Sequence, residues 1–419
     1  MISNEEIKAF LEGNDPEQHI VAVEYDYTTD AIYKIKEIPE KGKAIVKDNF
    51  IAFAWVGDLK DTNFYQGSRG LQKEGMSKHG IVIDKLRTDG HPRLENGLTY
   101  MVKCLKGYRH LIQFFRDGGL DPWGEKAKER ILILPPVEQF LIQKEKRLFK
   151  GYEEYNDITR FVYDLETTSL EPKDGRIFMI GMKTNKGFKK VIECSTDEQE
   201  REALIEFFQT IDFIKPSIIG GYNSANFDWY WIFERCKILG LDIKKICRTL
   251  NPERAISQSE QLLKLANEVE RYNQVGMWGY NVVDIIHAVR RAQAINSSIK
   301  SAGLKYITKY IDAEAKDRVY IDHDKIGSMY AQKEEFWLNV QNGKYKKADK
   351  PEFDNLDIRF PGTYIKTTGD DIVERYLDDD LEETLLVDEE FNQGTFLLAS
   401  LVPTTYERVS TMGTATLWK

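Results

Sequence analysis

The sequence predicts a mixed α/β protein, in which a mixed sheet flanked by helices follows a β-rich N-terminal domain. Two observations favour this class. Segments of strand composition dominate the first part of the chain, and residues 161–240 contain three strand-like segments, a helix, a strand and a second helix. That β-β-β-α-β-α order is typical of a mixed sheet with helices packed against it. Hydrophobic residues make up 42% of the 419 residues, so each of the two or three domains expected at this length has enough apolar side chains for a core.

The N-terminal domain is assigned to residues 1–155 and is predicted to be rich in strands. Residues 20–38 have strand composition with a polar break at Thr28-Thr29-Asp30, which predicts two strands joined by a turn. A polar, turn-like segment follows residue 150 and sets the boundary. The other elements predicted here are strands over 50–56 and 80–88, a helix within 105–119, and a segment over 131–151 that starts as a strand and is interrupted by Pro135-Pro136.

The second domain is assigned to residues 156–395, and residues 396–419 are interpreted as a connector towards a further domain. The predicted elements are strands over 161–167, 176–185, 187–194 and 217–223, with helices over 195–211 and 227–240. Residues 252–310 have mainly helical composition. The segment 369–391 is predicted to be a helix that ends near Gly394.

The charge is unevenly distributed along a chain whose net charge is −9. Residues 60–150 hold 18 Lys and Arg against 11 Asp and Glu, whereas residues 353–390 hold 13 acidic against 3 basic residues. This pattern suits phosphate binding in one region and metal binding in another, although two solvated surfaces would look the same. A polar, acidic N-terminus, four scattered cysteines and the lack of a long apolar run predict a cytoplasmic protein without a membrane partner.

Two acidic residues in the strand 161–167 are the first candidates for a chemical role. Asp164 and Glu166 are two positions apart, so both side chains point to one face of the strand. Two buried carboxylates on one face repel each other, which favours a bound cation, and oxygen ligands suit Mg²⁺ or Mn²⁺. The alternative is a strand end with exposed acids.

Further candidates lie at the start of one helix and on the face of another. Asp228 begins a helix after the strand 217–223, where a carboxylate can also be a simple cap, and Asn223 and Phe227 offer amide hydrogen bonds and a stacking face. Tyr376 and Asp380 are spaced i, i+4 and share one helix face. The neighbouring acids are interpreted as a solvated helix face: Asp378, Asp379, Glu382 and Glu383.

These motifs in this order resemble the exonuclease domain of family B (alpha-like) DNA polymerases, which has a DnaQ-like, RNase H-like fold. The segment DLET (164–167) is similar to the first exonuclease motif, NSANFD (223–228) to the second, and YLDDD (376–380) to the third. The resemblance implies that two divalent metal ions, Mg²⁺ or Mn²⁺, are held by Asp164, Glu166, Asp228 and Asp380. In this family the metals activate a water, stabilise the charge on the phosphoryl group and support the leaving 3′ oxygen.

The resemblance also implies roles for other residues. Tyr376 would orient the attacking water. The residues expected to contact the primer end are Thr167, Asn223, Phe227 and Leu304, with core packing as the alternative for Leu304. Lys316 and Arg318 are both candidates for a basic residue near the scissile phosphate, and Asp284 is interpreted as structural.

The expected function is that of a proofreading 3′→5′ DNA exonuclease releasing nucleoside monophosphates. Both flanks of the second domain resemble polymerase sequence, but motifs of the polymerising palm domain are absent, so the chain is not expected to polymerise alone. The expected partners are the single-stranded 3′ end of a primer, template DNA, and a C-terminal polymerase polypeptide in cis or in trans. The alternatives are a stand-alone repair or RNA-trimming nuclease and a non-catalytic DNA-binding scaffold.

Overall fold

A computed structural model divides the chain into two compact units. Unit 1 comprises Met1–Gly151 and Ala399–Thr405, and unit 2 comprises Tyr152–Leu398 and Tyr406–Lys419. The structure describes residues 3–38, 42–57, 75–85, 100–127, 130–247, 256–265, 268–339, 357–358 and 364–412. Parts of the predicted basic, acidic and connector segments and the last three residues of the strand predicted over 80–88 lie outside these ranges. The domain limits drawn from the sequence stay predictions.

Unit 1 contains two antiparallel sheets and four helices in its described part. Its elements are α1 Asn4–Glu12, β1 Ile20–Asp26, β2 Ala31–Ile38, β3 Gly42–Asp48, β4 Ala52–Val56, α2 75–79, β5 Ile81–Lys85, β6 Tyr100–Cys104, α3 Tyr108–Asp117, β7 Ile131–Leu132 and α4 Pro136–Gln143. The strand orders are β1-β2-β3 and β5-β6-β4-β7. A turn over 27–30 separates β1 from β2, where the polar break predicted it. Pro136 is the first residue of α4, a position where the missing N–H costs no hydrogen bond.

Unit 2 is built around a five-stranded mixed sheet. Its elements are β8 Arg160–Thr167, β9 Ile177–Thr184, β10 Lys189–Glu193, α5 Asp197–Ile214, β11 Ile218–Gly221, α6 Asp228–Ile238, α7 Ile243–Ile246, β12 Ile256–Lys264, β13 Val269–Met277, β14 Asn281–Asp284, α8 Ile286–Ile295, α9 Leu304–Tyr310, β15 Val319–Tyr320, α10 Ile326–Tyr330, β16 Phe336–Asn339, β17 Asp357–Ile358, β18 Tyr364–Thr367, α11 Gly369–Leu401, whose last three residues are assigned to unit 1, and α12 Tyr406–Thr411. The central sheet has the order β10-β9-β8-β11-β14. β11 is parallel to β8 and β14, whereas β9 is antiparallel to β8 and β10. The predicted fold class is confirmed.

The central strand β8 divides two hydrophobic cores. Phe161, Tyr163 and Leu165 pack into the core shared with α5 and α6. Val162, on the opposite side of the strand, packs into the core that contains Leu377 of α11. Since side chains alternate along a strand, Asp164 and Glu166 share the α11 side of the sheet with Val162.

The prediction that residues 252–310 are mainly helical was wrong for β12, β13 and β14. β12 and β13 form an antiparallel hairpin whose register pairs Ile256 with Met277 and Lys264 with Val269. Most β12 side chains are exposed, so no period-two pattern of apolar residues marks the strand. Gln, Glu, Leu and Lys in this segment favour helices, but backbone pairing between the two strands decides the structure here. The helical part of the prediction is correct for α8 and α9.

The helix α11 extends further than its sequence predicted. It continues through Gly394 to Leu401. A glycine inside a helix costs about 1 kcal/mol relative to alanine. Burial of Phe396, whose ring packs 5.5 Å from that of Tyr155, offsets this cost because a buried phenylalanine contributes about 1.5–3 kcal/mol.

Two further observations concern membrane-spanning helices and disulfides. Within the described ranges, no helix is long and apolar enough to cross a membrane. The four cysteines all lie in described segments, where they are buried and form no disulfide.

Candidate active site

Three acidic side chains converge on one side of β8. Asp164 and Glu166 lie on the face that looks towards α11, and Asp380 approaches them from that helix. Carboxylate oxygens of these three residues lie within 4.8 Å of one another. Glu166 and Asp380 are buried and Asp164 is partly exposed, so the cluster has one side open to solvent.

A glycine in the neighbouring strand allows α11 to approach the sheet. Gly181 of β9 pairs with Asp164 across the β8–β9 ladder. A Cβ at Gly181 would lie 2.8 Å from side-chain atoms of both Leu377 and Leu381. These leucines flank Asp380 on α11, so the absent side chain sets how close that carboxylate comes to the strand.

Asp228 lies near this cluster but outside the group of three. It is the first residue of α6 and is buried, with 2% of its surface exposed. Its Oδ1 has no hydrogen-bond partner among the described residues. Burial, followed by the charges of Asp164 and Asp284, raises the pKa of Asp228 well above its ordinary value. A buried carboxylate oxygen without a donor is a position that a cation would satisfy.

The loop before Asp228 is held by Asp284. The backbone N–H of Asn223 donates to Asp284 Oδ1 at 2.8 Å, and that of Ala225 donates to Oδ2 at 2.9 Å. Asn223 has a φ of 61°, in the left-handed region that asparagine tolerates better than most residues. Burial raises the pKa of Asp284 to about 6 although these N–H groups oppose the shift. This agrees with the structural interpretation of Asp284.

The carboxylates of the cluster are electrostatically strained in the absence of a cation. Burial, followed by the charge of Asp380, raises the pKa of Asp164 to about 7. Burial, followed by the charges of Asp164 and Asp380, raises the pKa of Glu166 well above its ordinary value. At neutral pH the site therefore favours taking up protons or positive ions.

Sequence reasoning missed one cation of the site, Lys305. Its Nζ donates a hydrogen bond to Tyr376 Oη and lies 4.2 Å from the centroid of that ring. Tyr376 is buried, with 2% of its surface exposed. Burial lowers the pKa of Lys305, and the charges of the acidic cluster oppose that shift. A lysine in a short amphipathic helix carries no spacing signal that would have marked it.

Arg318 is the other cation beside the acidic cluster. It is fully buried and forms ion pairs with Asp380, with Glu383 at 3.0 Å and with Asp379 at 3.5 Å. Lys316, the other candidate from the sequence, is exposed. Because three acids surround its guanidinium, Arg318 holds the carboxylate of Asp380 in place.

The prediction of a solvated acidic face on α11 was wrong for two of its four members. Asp379 and Glu383 are buried, with 6% and 1% of their surfaces exposed, because they pair with Arg318. The other two acids, Asp378 and Glu382, form partly exposed ion pairs with Lys183.

The four residues expected to contact DNA lie in different settings. The hydroxyl of Thr167 donates to the backbone carbonyl of Ser169 at 2.8 Å, and the residue is partly exposed. Asn223 and Phe227 are partly exposed in the loop before α6, and Phe227 packs partly against the core. Leu304 packs against the core on the α11 side, which was the alternative considered for it.

The donor set fits divalent metal ions. Asp164, Glu166 and Asp380 supply hard oxygen atoms in one cluster, and Asp228 adds a buried oxygen without a partner in the described structure. Oxygen ligands of this kind suit Mg²⁺ or Mn²⁺. The two neighbouring cations, Lys305 and Arg318, do not balance the four carboxylates, and Arg318 is shared with two further acids.

Comparisons of the sequence with known proteins agree with this geometry. Residues 148–307 match the family model for the exonuclease domain of DNA polymerase family B. DNA polymerase 2 of Aeropyrum pernix is 28% identical over 95 residues, which are 22% of this chain and 12% of that protein. The DNA polymerase of Phaeocystis pouchetii virus is 26% identical over 192 residues, or 40% of this chain and 17% of that protein.

Comparison of structures shows the same type of fold. The family B DNA polymerase of the hyperthermophilic archaeon Pyrobaculum calidifontis superimposes with a TM-score of 0.60 at 16% sequence identity. The match covers 94% of this chain and 48% of that polymerase. The chain thus corresponds to about half the length of that polymerase, and its matches to the other two polymerases are shorter. The segment that the family model matches contains Asp164, Glu166 and Asp228 in the arrangement described above, so residues 148–307 are similar in sequence to the exonuclease domain of the family B DNA polymerases.

Proposed function

We propose that the chain is a proofreading 3′→5′ DNA exonuclease that removes one nucleoside monophosphate at a time from a single-stranded 3′ end. The observation that carries this proposal is the convergence of Asp164, Glu166 and Asp380 within 4.8 Å, with Asp228 and Tyr376 beside them. An exonuclease domain of a DNA polymerase has this task when it edits a primer, and selectivity then comes from how easily the end unpairs.

The acidic residues would hold two divalent ions. Asp164, Glu166 and Asp380 would supply ligands from one cluster, and Asp228 would add its unpartnered oxygen. When bound, the ions supply Lewis-acid activation of the attacking water and neutralise the charge that develops on the phosphoryl group. Arg318 keeps Asp380 in position for this role.

Tyr376 would orient the water that attacks the terminal phosphorus. Burial raises the pKa of its phenol well above the ordinary value, so the hydroxyl keeps its proton and remains a hydrogen-bond donor. During hydrolysis the bond from phosphorus to the 3′ oxygen breaks. The elements of water are divided between the phosphate of the released nucleotide and the 3′ hydroxyl of the shortened strand.

Substitution of single carboxylates tests the proposal. We expect the wild-type protein with Mg²⁺ to shorten a 5′-labelled single-stranded oligodeoxynucleotide stepwise from its 3′ end. Asp164→Ala and Asp380→Ala should abolish this activity without loss of the folded state in circular dichroism. Asp378→Ala is the matched control, because Asp378 lies on the same helix in a partly exposed ion pair and should keep its activity.

The same assay separates the proposal from its alternatives. Full Mg²⁺-dependent degradation by both active-site variants would refute the assignment of the site. Equal or faster degradation of an RNA of the same sequence would favour an RNA-trimming nuclease. Absence of any nuclease activity in the wild type, together with tight DNA binding, would favour a scaffold.

We also propose that the exonuclease works beside a polymerising module, in cis or in trans. The support is its similarity to proteins named DNA polymerases and its match to about half of one such polymerase. A native mass measurement after mixing the chain with a polypeptide that carries the polymerising domains tests a partner in trans. A complex of one copy of each is the expected result.

A further inference from the structure

The ammonium group of Lys305 is placed against the hydroxyl of Tyr376. Its Nζ donates to Tyr376 Oη and lies 4.2 Å from the ring centroid, so the lysine contacts both the ring face and the oxygen. The charges of Asp380, Glu166 and Asp164 all act on Lys305, which places its ammonium group beside the acidic cluster. The lysine is therefore a component of the site that none of the three exonuclease motifs contains.

The helix α9 fixes the position of Lys305. Ile307 and Thr308 are fully buried on this helix, and the hydroxyl of Thr308 donates to the backbone carbonyl of Leu304 at 3.1 Å. Leu304 itself packs against the core on the α11 side. Because the residues on both sides of Lys305 are anchored in the core, its side chain starts from a rigid position rather than from a mobile loop.

Arg318, the other cation of the site, pairs with acidic side chains. Arg318 forms ion pairs with three acids and also donates to the backbone carbonyl of Tyr376 at 3.2 Å. It thereby holds the backbone of the tyrosine and the carboxylate of Asp380. Lys305 contacts the hydroxyl that is expected to act on the water.

The chemistry of the two groups determines the direction of the hydrogen bond. An ammonium group has three donors and no acceptor, so the oxygen of Tyr376 must accept from Lys305. The phenolic proton then points away from Lys305 and is available to an oxygen on the open side of the cluster. The positive charge also makes the phenol a stronger donor, since bonds in a chain polarise one another.

We propose that Lys305 is a positioning residue for the hydrolytic reaction, which sets the orientation and donor strength of the Tyr376 hydroxyl. This inference rests on the proposed exonuclease function. It differs from a direct contact between Lys305 and the scissile phosphate, in which the lysine would act independently of the tyrosine.

A double-mutant cycle tests the inference. We would measure single-turnover rates and KM on single-stranded DNA for Lys305→Met, Tyr376→Phe and the double variant. A displaced catalytic group can cost about 10²-fold in rate, so each single variant should lose roughly this factor with little change in KM. The double variant should be no more than about threefold slower than Tyr376→Phe, since coupled residues are strongly non-additive.

Two further variants serve as controls. Lys305→Arg keeps the charge and the donors and should retain more activity than Lys305→Met. Lys309→Met removes a lysine one turn later on the same helix, half exposed and 4.7 Å from the ring centroid of Tyr320. Its rate should stay within about threefold of the wild type, because Lys309 forms an exposed ion pair with Glu314 at 3.3 Å and such a pair contributes little.

Each outcome either supports or overturns the inference. If Lys305→Met is as active as the wild type, or if the losses of the single variants multiply in the double variant, Lys305 does not act through Tyr376. If Lys305→Met melts at a lower temperature than the wild type, the cycle is repeated with Lys305→Gln, and both variants are assayed at a temperature at which they are folded. A similar loss of rate in both variants then supports the inference. If the wild type itself is inactive, both the proposed function and the inference fail. If the wild type is active and Asp164→Ala is inactive, the exonuclease function stands, and the cycle tests the role of Lys305 separately.

Discussion

Replacing Arg318 with methionine should destabilise unit 2 strongly, since it removes a buried cation from among three acids. Its guanidinium lies 3.0 Å from Glu383 and 3.5 Å from Asp379 and pairs directly with Asp380. Breaking a buried ion pair costs about 3–5 kcal/mol because the remaining charge stays buried without a partner. Methionine fills much of the same volume, so the loss arises mainly from electrostatics. We expect Arg318→Met to lower the free energy of unfolding by roughly this amount at pH 8.

The loss of unfolding free energy in Arg318→Met should be smaller at acidic pH, and the protonation of Glu383 gives the reason. Burial raises the pKa of Glu383 to about 7, above its ordinary 4.5, although Arg318 lowers it. The folded state therefore binds more protons than the unfolded chain between these values, and stability falls as the pH rises through this window. Without Arg318 the pKa of Glu383 rises further, so the variant continues to lose stability above pH 7. At pH 5.5 Glu383 is protonated in both proteins, which removes one of the three negative charges that lose Arg318 as a partner.

Urea titrations of both proteins in EDTA, at pH 5.5 and pH 8, measure this difference. Tryptophan fluorescence includes a contribution from the buried Trp229 and Trp231 of unit 2. Arg375→Met is the matched control, since Arg375 also pairs with Asp379, at 3.2 Å, but is about one third exposed. Its cost should be below about 1 kcal/mol. Equal stability of Arg318→Met and the wild type at pH 8, or a larger loss at pH 5.5, would refute the reasoning.

Three further predictions concern the surroundings of the carboxylates. Gly181→Ala should destabilise the protein by about 1–3 kcal/mol in urea titrations and lower exonuclease activity, because the added methyl group pushes α11 from the sheet. Asp164→Asn should raise the melting temperature in EDTA at pH 8, because it relieves the repulsion between Asp164 and the neighbouring carboxylates. It should also show a smaller rise in melting temperature on addition of Mg²⁺ than the wild type. Unchanged melting curves would contradict this prediction. Asp284→Ala leaves the N–H groups of Asn223 and Ala225 without their acceptor, which should destabilise the protein by about 1–3 kcal/mol for each group. The loop is then displaced, so the hydrolysis rate on single-stranded DNA should fall. Wild-type activity would show that the loop holds its shape without Asp284.

The parts of the fold that the sequence predicts well are those with a strong local pattern. β8 is apolar on alternate positions and carries Asp164 and Glu166 on one face, so both its extent and its orientation follow from period two. The turn between β1 and β2 is marked by polar residues. α6 begins at Asp228, after a short loop that follows the buried strand β11. In each case the local sequence and the packing in the folded protein favour the same structure.

The parts that the sequence predicts poorly depend on partners that are distant along the chain. Asp379 and Glu383 read as solvated acids because their partner, Arg318, is about 60 residues earlier. The hairpin of β12 and β13 has helix-favouring residues, and only pairing between the two strands makes it β. Gly181 has no local signal at all, since its importance lies in what α11 places against it.

The distribution of charge around the site explains why two cations and four carboxylates occur together. Lys305 and Arg318 oppose the rise in the pKa of Asp164, so without them the carboxylates would hold protons to a still higher pH and compete less well for metal ions. Full neutralisation by lysine and arginine would remove the attraction for those ions. Arg318 shares its charge with Asp379 and Glu383 and therefore compensates Asp380 only in part, and Lys305 adds a single positive charge beside the acids of the cluster. The folded chain thus keeps a net negative site, and divalent ions should stabilise it more at pH 8 than at pH 5.5.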